Sequence, residues 1–139
     1  MKQANTYLVF EGNCREAMKF YQRCLGGELQ LLPYSEMPGG LPVPKEAKDR
    51  IMHARLVKGD VVWMAMDNQP GMPFRQGNNF FISIECESVE EIDRLFAGLG
   101  VEGKILMPLQ ETFWATRFGM LTDRFGVSWM FDLEKAKQG

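Results

Sequence analysis

The chain has 139 residues, enough for one compact domain or two tightly fused halves and too few for two independent domains. Hydrophobic residues make up 45% and charged residues 24%, which argues against disorder, and a formal net charge of -2 gives no electrostatic reason to expect nucleic acid as a partner. No uncharged stretch approaches the roughly 20 apolar residues of a membrane span and no N-terminal run suits a signal peptide, so no membrane partner and a cytoplasmic location are expected.

Thr6 to Phe10 is β-branched and aromatic and reads as a strand. Asn13 followed by Glu16 is a capping-box-like helix start, and Cys14, Ala17, Met18, Tyr21, Cys24 and Leu25 follow as one apolar face up to the C-cap glycines Gly26 and Gly27. On one helix Cys14 and Cys24 stand about 15 Å apart and cannot bridge, so with Cys86 they are assigned reduced, structural roles. Glu28 to Tyr34 reads as a strand fraying at Pro33. Residues 35–48, rich in proline and glycine, read as an excursion from the sheet, either a lid over a binding site or a plain surface loop. Arg50 to Val57 and Val61 to Met66 form a hairpin around Lys58-Gly59-Asp60, and the turn-rich run 67–78 separates the chain into halves.

The second half repeats the grammar of the first. Phe80 to Ile84 reads as a strand, Ser88 with Glu91 as a capping box, and Val89, Ile92, Leu95, Phe96 and Leu99 as a helical stripe ending at Gly100. Aligning Asn13 with Ser88 also places Tyr21 on Phe96, so residues 1–74 and 75–139 read as diverged copies of one β-α-β-β-β module. Lys104 to Met107 is the returning strand, 108–116 the counterpart of the excursion, and 132–139 a polar tail. The fold class is α+β: two modules whose curved mixed sheets, each with a helix on one side, enclose a cleft.

Glu111 to Met130 combines the densest aromatic content with hairpin chemistry. Trp114 and Phe118 offer stacking area, Arg117 a grip on an anionic group, and Glu111, set among aromatics, a partly desolvated carboxylate suited to general-base or anchoring work. Against these stand core packing for the aromatics and a solvated carboxylate or ion pair for Glu111. Asp123 is expected to bond turn amides, Phe125 to cover the core and Gly126 to supply the turn angle. Trp129 in the last strand and Trp63 in the fourth line the cleft or fill the core. His53, the only histidine, is a candidate base or a half-exposed strand residue. Alternation sets it with Ile51, Arg55 and Val57 opposite the more apolar Met52, Ala54 and Leu56.

The runs EGNCREAMKFYQRCLGGEL, RIMHARLVKGD and QETFWATRFGMLTDRFGVSWM, in this modular order, resemble the PhnB-like branch of the vicinal oxygen chelate superfamily, which includes glyoxalase I, bleomycin-resistance proteins and extradiol dioxygenases. The likeness covers nearly the whole chain. It implies the glyoxalase/bleomycin resistance/dioxygenase fold, a homodimer, and a cleft in which the superfamily's enzymes hold a divalent metal on His, Glu or Gln. Those ligand positions fall near Asn5 or Thr6, near Ala65 or Met66, near Asn79 and near Met130, none of which is His or Glu. Asp67 and Asp132 would serve only with a register slip of a residue or two, so the metal site is expected to be lost.

The branch is often labelled 3-demethylubiquinone 3-methyltransferase-like, yet no glycine-rich turn after a first strand suggests a nucleotide or sulfonium cofactor, and none is expected. The leading expectation is therefore a small-molecule binder. The alternatives are an enzyme, through metal-independent chemistry at Glu111 and His53 or residual metal-dependent lyase or dioxygenase activity, and a dimeric scaffold without a ligand.

Overall fold

A parallel pair of strands at one edge and an antiparallel meander beside it set the first sheet. β1 (Thr6–Phe10) leads into α1 (Cys14–Leu25), β2 (Glu28–Pro33), and the hairpin of β3 (Ile51–Lys58) and β4 (Val61–Asp67). The strand order is β1-β4-β3-β2, with β1 and β4 parallel and the other pairs antiparallel. The computed structural model describes residues 1–36 and 45–136, which cluster into two units, Met1–Arg75 and Gln76–Gly139. Of the expected excursion, Tyr34–Glu36 and Lys45–Ala47 are short 3-10 turns, and 37–44 lie outside the described residues.

α1 packs on one face of this sheet, against β2, β3 and β4. Its buried stripe is Cys14, Ala17, Met18, Phe20, Tyr21 and Leu25, so Phe20 takes the place expected for Cys24, which is half-buried. At Gly27 φ is 95° and a Cβ would run into the Val57 carbonyl, so the turn into β2 admits no side chain. The cross-strand rows Leu8–Ala65–Ala54–Leu31 and Trp63–Leu56–Leu29 lie under the helix, with Ala54, Ala65 and Leu56 fully buried. This settles the two faces of β3: Ala54 and Leu56 meet the core and His53 and Arg55 turn away. Ile51, which alternation grouped with His53, is also fully buried, because the β2–β3 register shifts between Leu32 and Pro33.

The helix start departs from the capping-box expectation. Asn13 occupies the N-cap without a side-chain hydrogen bond. The work falls to Asp67, which is 1% exposed: Oδ1 accepts from the amides of Gly12 (3.0 Å) and Cys14 (2.9 Å), and Oδ2 accepts from Ile51 N (2.8 Å). One carboxylate at the end of β4 thus satisfies N–H groups at the helix start and the β3 start together.

The second unit contains β5 (Ile82–Glu85), α2 (Val89–Leu99), β6 (Lys104–Gln110), β7 (Ala115–Thr122) and β8 (Ser128–Glu134), in the order β5-β8-β7-β6 with β5 and β8 parallel. Here the Ser88 half of the capping box forms, with Ser88 Oγ accepting from Glu91 N at 3.1 Å, while Glu91 Oε1 reaches past the N-cap to accept from Glu87 N at 2.9 Å. α2 buries Ile92, Leu95, Phe96 and Leu99 against β7 and β8. Phe96 lies edge-on to Phe131 with centroids 5.3 Å apart, and a Cβ on Gly119 would stand 2.8 Å from the Leu109 side chain and 2.9 Å from the Phe96 ring, so a larger residue there would have to displace both.

Several expected boundaries move. β5 begins at Ile82, leaving Phe80 exposed. β6 runs on through Pro108 to Gln110, which an edge strand with shifted register between Met107 and Gln110 tolerates; the expected excursion over 108–116 shrinks to residues 111–114. The tail begins later than expected, since 132–134 continue β8. In the β7–β8 turn Asp123 accepts from Phe125 N (2.8 Å) and Val127 N (3.1 Å) and also from the indole of Trp129 (2.8 Å). Phe125 is half-buried under the Arg124 guanidinium, 4.8 Å from its ring centre, and does not enter the core.

Replacing Asp67 by Asn aims an N–H₂ group at one backbone amide it now accepts from, and the expected cost is about 2–4 kcal/mol in urea-denaturation stability. A loss below about 1 kcal/mol would show that the buried carboxylate is not what fixes the helix start.

Candidate functional site

The face of the second sheet turned away from α2 is built from three cross-strand rows. Lys104–Thr122–Ser128 lies at the β7–β8 turn end. Met107–Met120–Met130–Ser83 crosses the middle, and Gln110–Phe118–Asp132–Glu85 follows it. The three methionines and Phe118 are half-buried, giving a soft, polarisable floor between a basic, hydroxyl-bearing end and an acidic one. From the β6–β7 loop Trp114 stands edge-on to Phe118, centroids 5.4 Å apart, and Phe113 edge-on to Trp114 at 4.8 Å. Thr112 holds that loop closed, its backbone N–H donating to Ala115 O and its Oγ1 accepting from Ala115 N, each at 3.0 Å.

At the acidic end a carboxylate oxygen from each of Glu85, Asp132 and Glu134 lies within 4.8 Å of the others. Asp132 Oδ1 is buried and has no hydrogen-bond partner among the described residues. Burial first, and the neighbouring Glu134 second, push its carboxyl above the usual carboxylate range. An all-oxygen donor set with an orphaned buried oxygen fits a hard divalent ion of the Mg²⁺, Ca²⁺ or Mn²⁺ kind, or a proton in its place. Sequence reasoning missed this cluster by treating Asp132 as out of register with Met130. The two residues are two apart on β8 and share a face, and the alternation itself carried that signal.

Of the residues singled out from sequence, the structure brings Trp114 and Phe118 together and separates them from Arg117. The Arg117 side chain reaches Asp93 of α2 (Nε to Oδ1, 3.8 Å), opposite the Phe118 face. Glu111 is not desolvated: its side chain is 72% exposed and Lys135 Nζ lies 3.4 Å away. Trp129 has no exposed surface and its indole is bonded to Asp123, and Trp63 is 9% exposed under α1; both are core residues, not lining.

On the first sheet, the face turned away from α1 carries the row Tyr7–Met64–Arg55–Gln30, with Val9, Met66, His53 and Leu32 beside it. The Tyr7 hydroxyl lies 3.0 Å from His53 Nδ1, within hydrogen-bond distance, and burial, followed by Cys14 and Tyr34, raises the phenol's pKa, so the hydroxyl stays protonated. The cysteines fit structural roles: burial and Asp67 push Cys14 up to about 12, and burial and Glu91 push Cys86 up to about 11, so neither thiol is a nucleophile near neutrality.

The family model described as 3-demethylubiquinone-9 3-methyltransferase matches residues 2–131. The chain belongs to that family. Protein YjdN of Escherichia coli (strain K12) is 38% identical, the match covering 93% of each chain. The crystal structure of protein PA1353 from Pseudomonas aeruginosa is 46% identical with a TM-score of 0.89, covering 98% of this chain and 100% of that one. The PhnB protein from Bacillus cereus, a putative 3-demethylubiquinone-9 3-methyltransferase, is 30% identical with a TM-score of 0.75, covering 95% and 99%. A glyoxylase/bleomycin resistance protein/dioxygenase domain from Frankia shares the fold at 13% identity and a TM-score of 0.68, covering 97% and 98%. The PhnB-like family thus carries the α+β glyoxalase fold expected from the sequence, and no helix of the described residues is long and apolar enough to cross a membrane.

Because Asp132 has a folded-state pKa above its unfolded one, folding penalises its charged form. That penalty is absent below the unfolded value, about 3.9, and complete above the folded one. Asp132→Asn is therefore expected to be more stable than wild type near pH 7 and to lose the advantage as pH falls toward 4, read from urea midpoints at both pH values. An advantage that persists unchanged at low pH contradicts the assignment.

Proposed function

We propose that this PhnB-like protein binds a small organic molecule on the helix-free face of its second sheet, without a catalytic metal. The observation that carries this reading is the Met130–Met120–Met107 row beside Phe118 and the Trp114 edge, an adaptable apolar floor flanked by polar groups of opposite sign. The homodimer implied by the family resemblance and a cytoplasmic location belong to the same proposal. Metal-free binding is supported by the positions the superfamily uses for ligands, where Thr6, Met66 and Met130 supply neither imidazole nor carboxylate.

The methyltransferase in the family's name finds little support in the geometry. The amides at the first strand-to-helix turn already donate to Asp67, so they are not offered to a cofactor. Acid–base chemistry through Glu111 is weakened by its solvent exposure and its Lys135 partner.

A second reading is favoured by one observation, the unpartnered Asp132 oxygen facing Glu85 and Glu134. A divalent ion held there would supply Lewis-acid polarisation of an oxygen on the guest. Phe118 would then stack the guest, and Gln110 would orient it from the neighbouring strand.

A thermal-shift screen of small aromatic and anionic compounds, on protein purified without an affinity tag, tests the first reading. A guest that binds only the folded state raises the melting temperature, Phe118→Ala weakens it by about fivefold or more, and light scattering gives twice the monomer mass. If no compound stabilises the protein, the binding proposal fails. Mn²⁺ or Mg²⁺ separates the two readings: stabilisation of wild type but not of Asp132→Asn establishes the ion site and ends the metal-free account.

A further inference from the structure

We infer that the depression at the β7–β8 turn end of the second unit seats a carboxylate carried by the guest, with Lys104 and the Thr122–Ser128 hydroxyl pair as its grip; this rests on the small-molecule reading above. The depression has a volume of about 590 Å³, within the range of small-molecule sites; Lys104, Thr122 and Ser128 line it together with Phe81 and Leu106, and the charged residues Glu102, Asp123 and Arg124 complete its rim. It continues the face that bears the methionine floor, because Lys104, Thr122 and Ser128 form the row next to Met107, Met120 and Met130.

Two cations, Lys104 and Arg124, and two carboxylates, Glu102 and Asp123, line the depression, so its walls are neutral in sum and what matters is how each charge is engaged. Arg124 pairs with Glu102 at 3.6 Å, and Asp123 accepts three hydrogen bonds, from two turn amides and the Trp129 indole. Among the described residues no carboxylate lies within ion-pair distance of Lys104. With Asp123 turned to the turn amides and the indole, the Lys104 ammonium is the charged donor left to meet an anionic group of a guest.

The hydroxyls sharpen the match. Thr122 Oγ1 and Ser128 Oγ are 3.0 Å apart, so one hydroxyl hydrogen is used between them and the second remains to donate to a guest oxygen. Ser128 is 7% exposed, which fixes its oxygen in place before a guest arrives. An ammonium and a hydroxyl donor on neighbouring strands serve the two oxygens of a carboxylate, while Phe81, Leu106 and the methionine row receive an apolar body. At the far end of the same face the carboxylates Glu85, Asp132 and Glu134 repel an anion, so the guest's orientation is set by charge.

The test is a calorimetric comparison of 4-phenylbutyrate with its neutral amide, repeated for decanoate and decanamide. Wild type is expected to bind each acid about tenfold or more tightly than its amide. Lys104→Gln should bring acid and amide within about twofold of each other, Lys104→Arg should keep most of the preference, and Lys135→Gln should leave it unchanged. Thr122→Val, which keeps the shape of the side chain, provides a second variant and should lower the preference by several-fold. Equal binding of acid and amide by wild type, or a preference that survives Lys104→Gln, overturns the carboxylate seat and leaves small-molecule binding standing. If neither acids nor amides bind, the small-molecule reading falls and this inference falls with it.

Discussion

A buried carboxylate that gathers N–H donors is the constraint from which each unit takes its shape. Asp67, at the end of β4, gathers the amides that open α1 and β3, so the edge pair, the helix and the central hairpin are fixed at one point. Burying such a charge is costly, and the three N–H donors gathered on Asp67 offset that cost. The second unit uses the same device elsewhere: Asp123 holds the β7–β8 turn and the Trp129 indole, and the start of α2 is left to Ser88 and Glu91.

With helix and sheet locked on one side, the other face of each sheet is left to the alternation of its strands. In the second unit that alternation produces a graded surface, basic and hydroxylic at the turn end, thioether and aromatic in the middle, acidic where β8 and β5 run parallel. In the first unit it yields Tyr7, His53, Arg55, Met64 and Met66, again a mixture of soft apolar groups and a few polar ones. The guest we propose would be held on such a surface by dispersion and oriented by charge, and thioethers repack at little cost. This suits a fold that hosts many activities, since the backbone is fixed by residues on one face and the chemistry is chosen by residues on the other.

The elements themselves were legible in the sequence because their signals are local. A β-branched run gave β1, the apolar periods of Cys14–Leu25 and Val89–Leu99 gave the helices, and Asp123 to Gly126 announced the last hairpin. The repetition of that grammar, with the PhnB-like motifs, was enough to place the chain in its family and fold. What remained hidden depended on partners far apart in the chain. Nothing near Asn13 reveals that its helix is capped by Asp67, and nothing near Glu111 reveals that Lys135 and solvent meet it while Arg117 turns to α2.

Sequence alone therefore determined which segments become helix or strand and which side chains alternate, because backbone preference and hydrophobic period act over a few residues. Tertiary structure decided which face is used and which charges meet. Pairing across strands put Glu85, Asp132 and Glu134 together, set Lys104 beside Thr122 and Ser128, and sealed Trp129 in the core. Electrostatics and desolvation depend on distances through space, and those distances exist only once the sheet is registered.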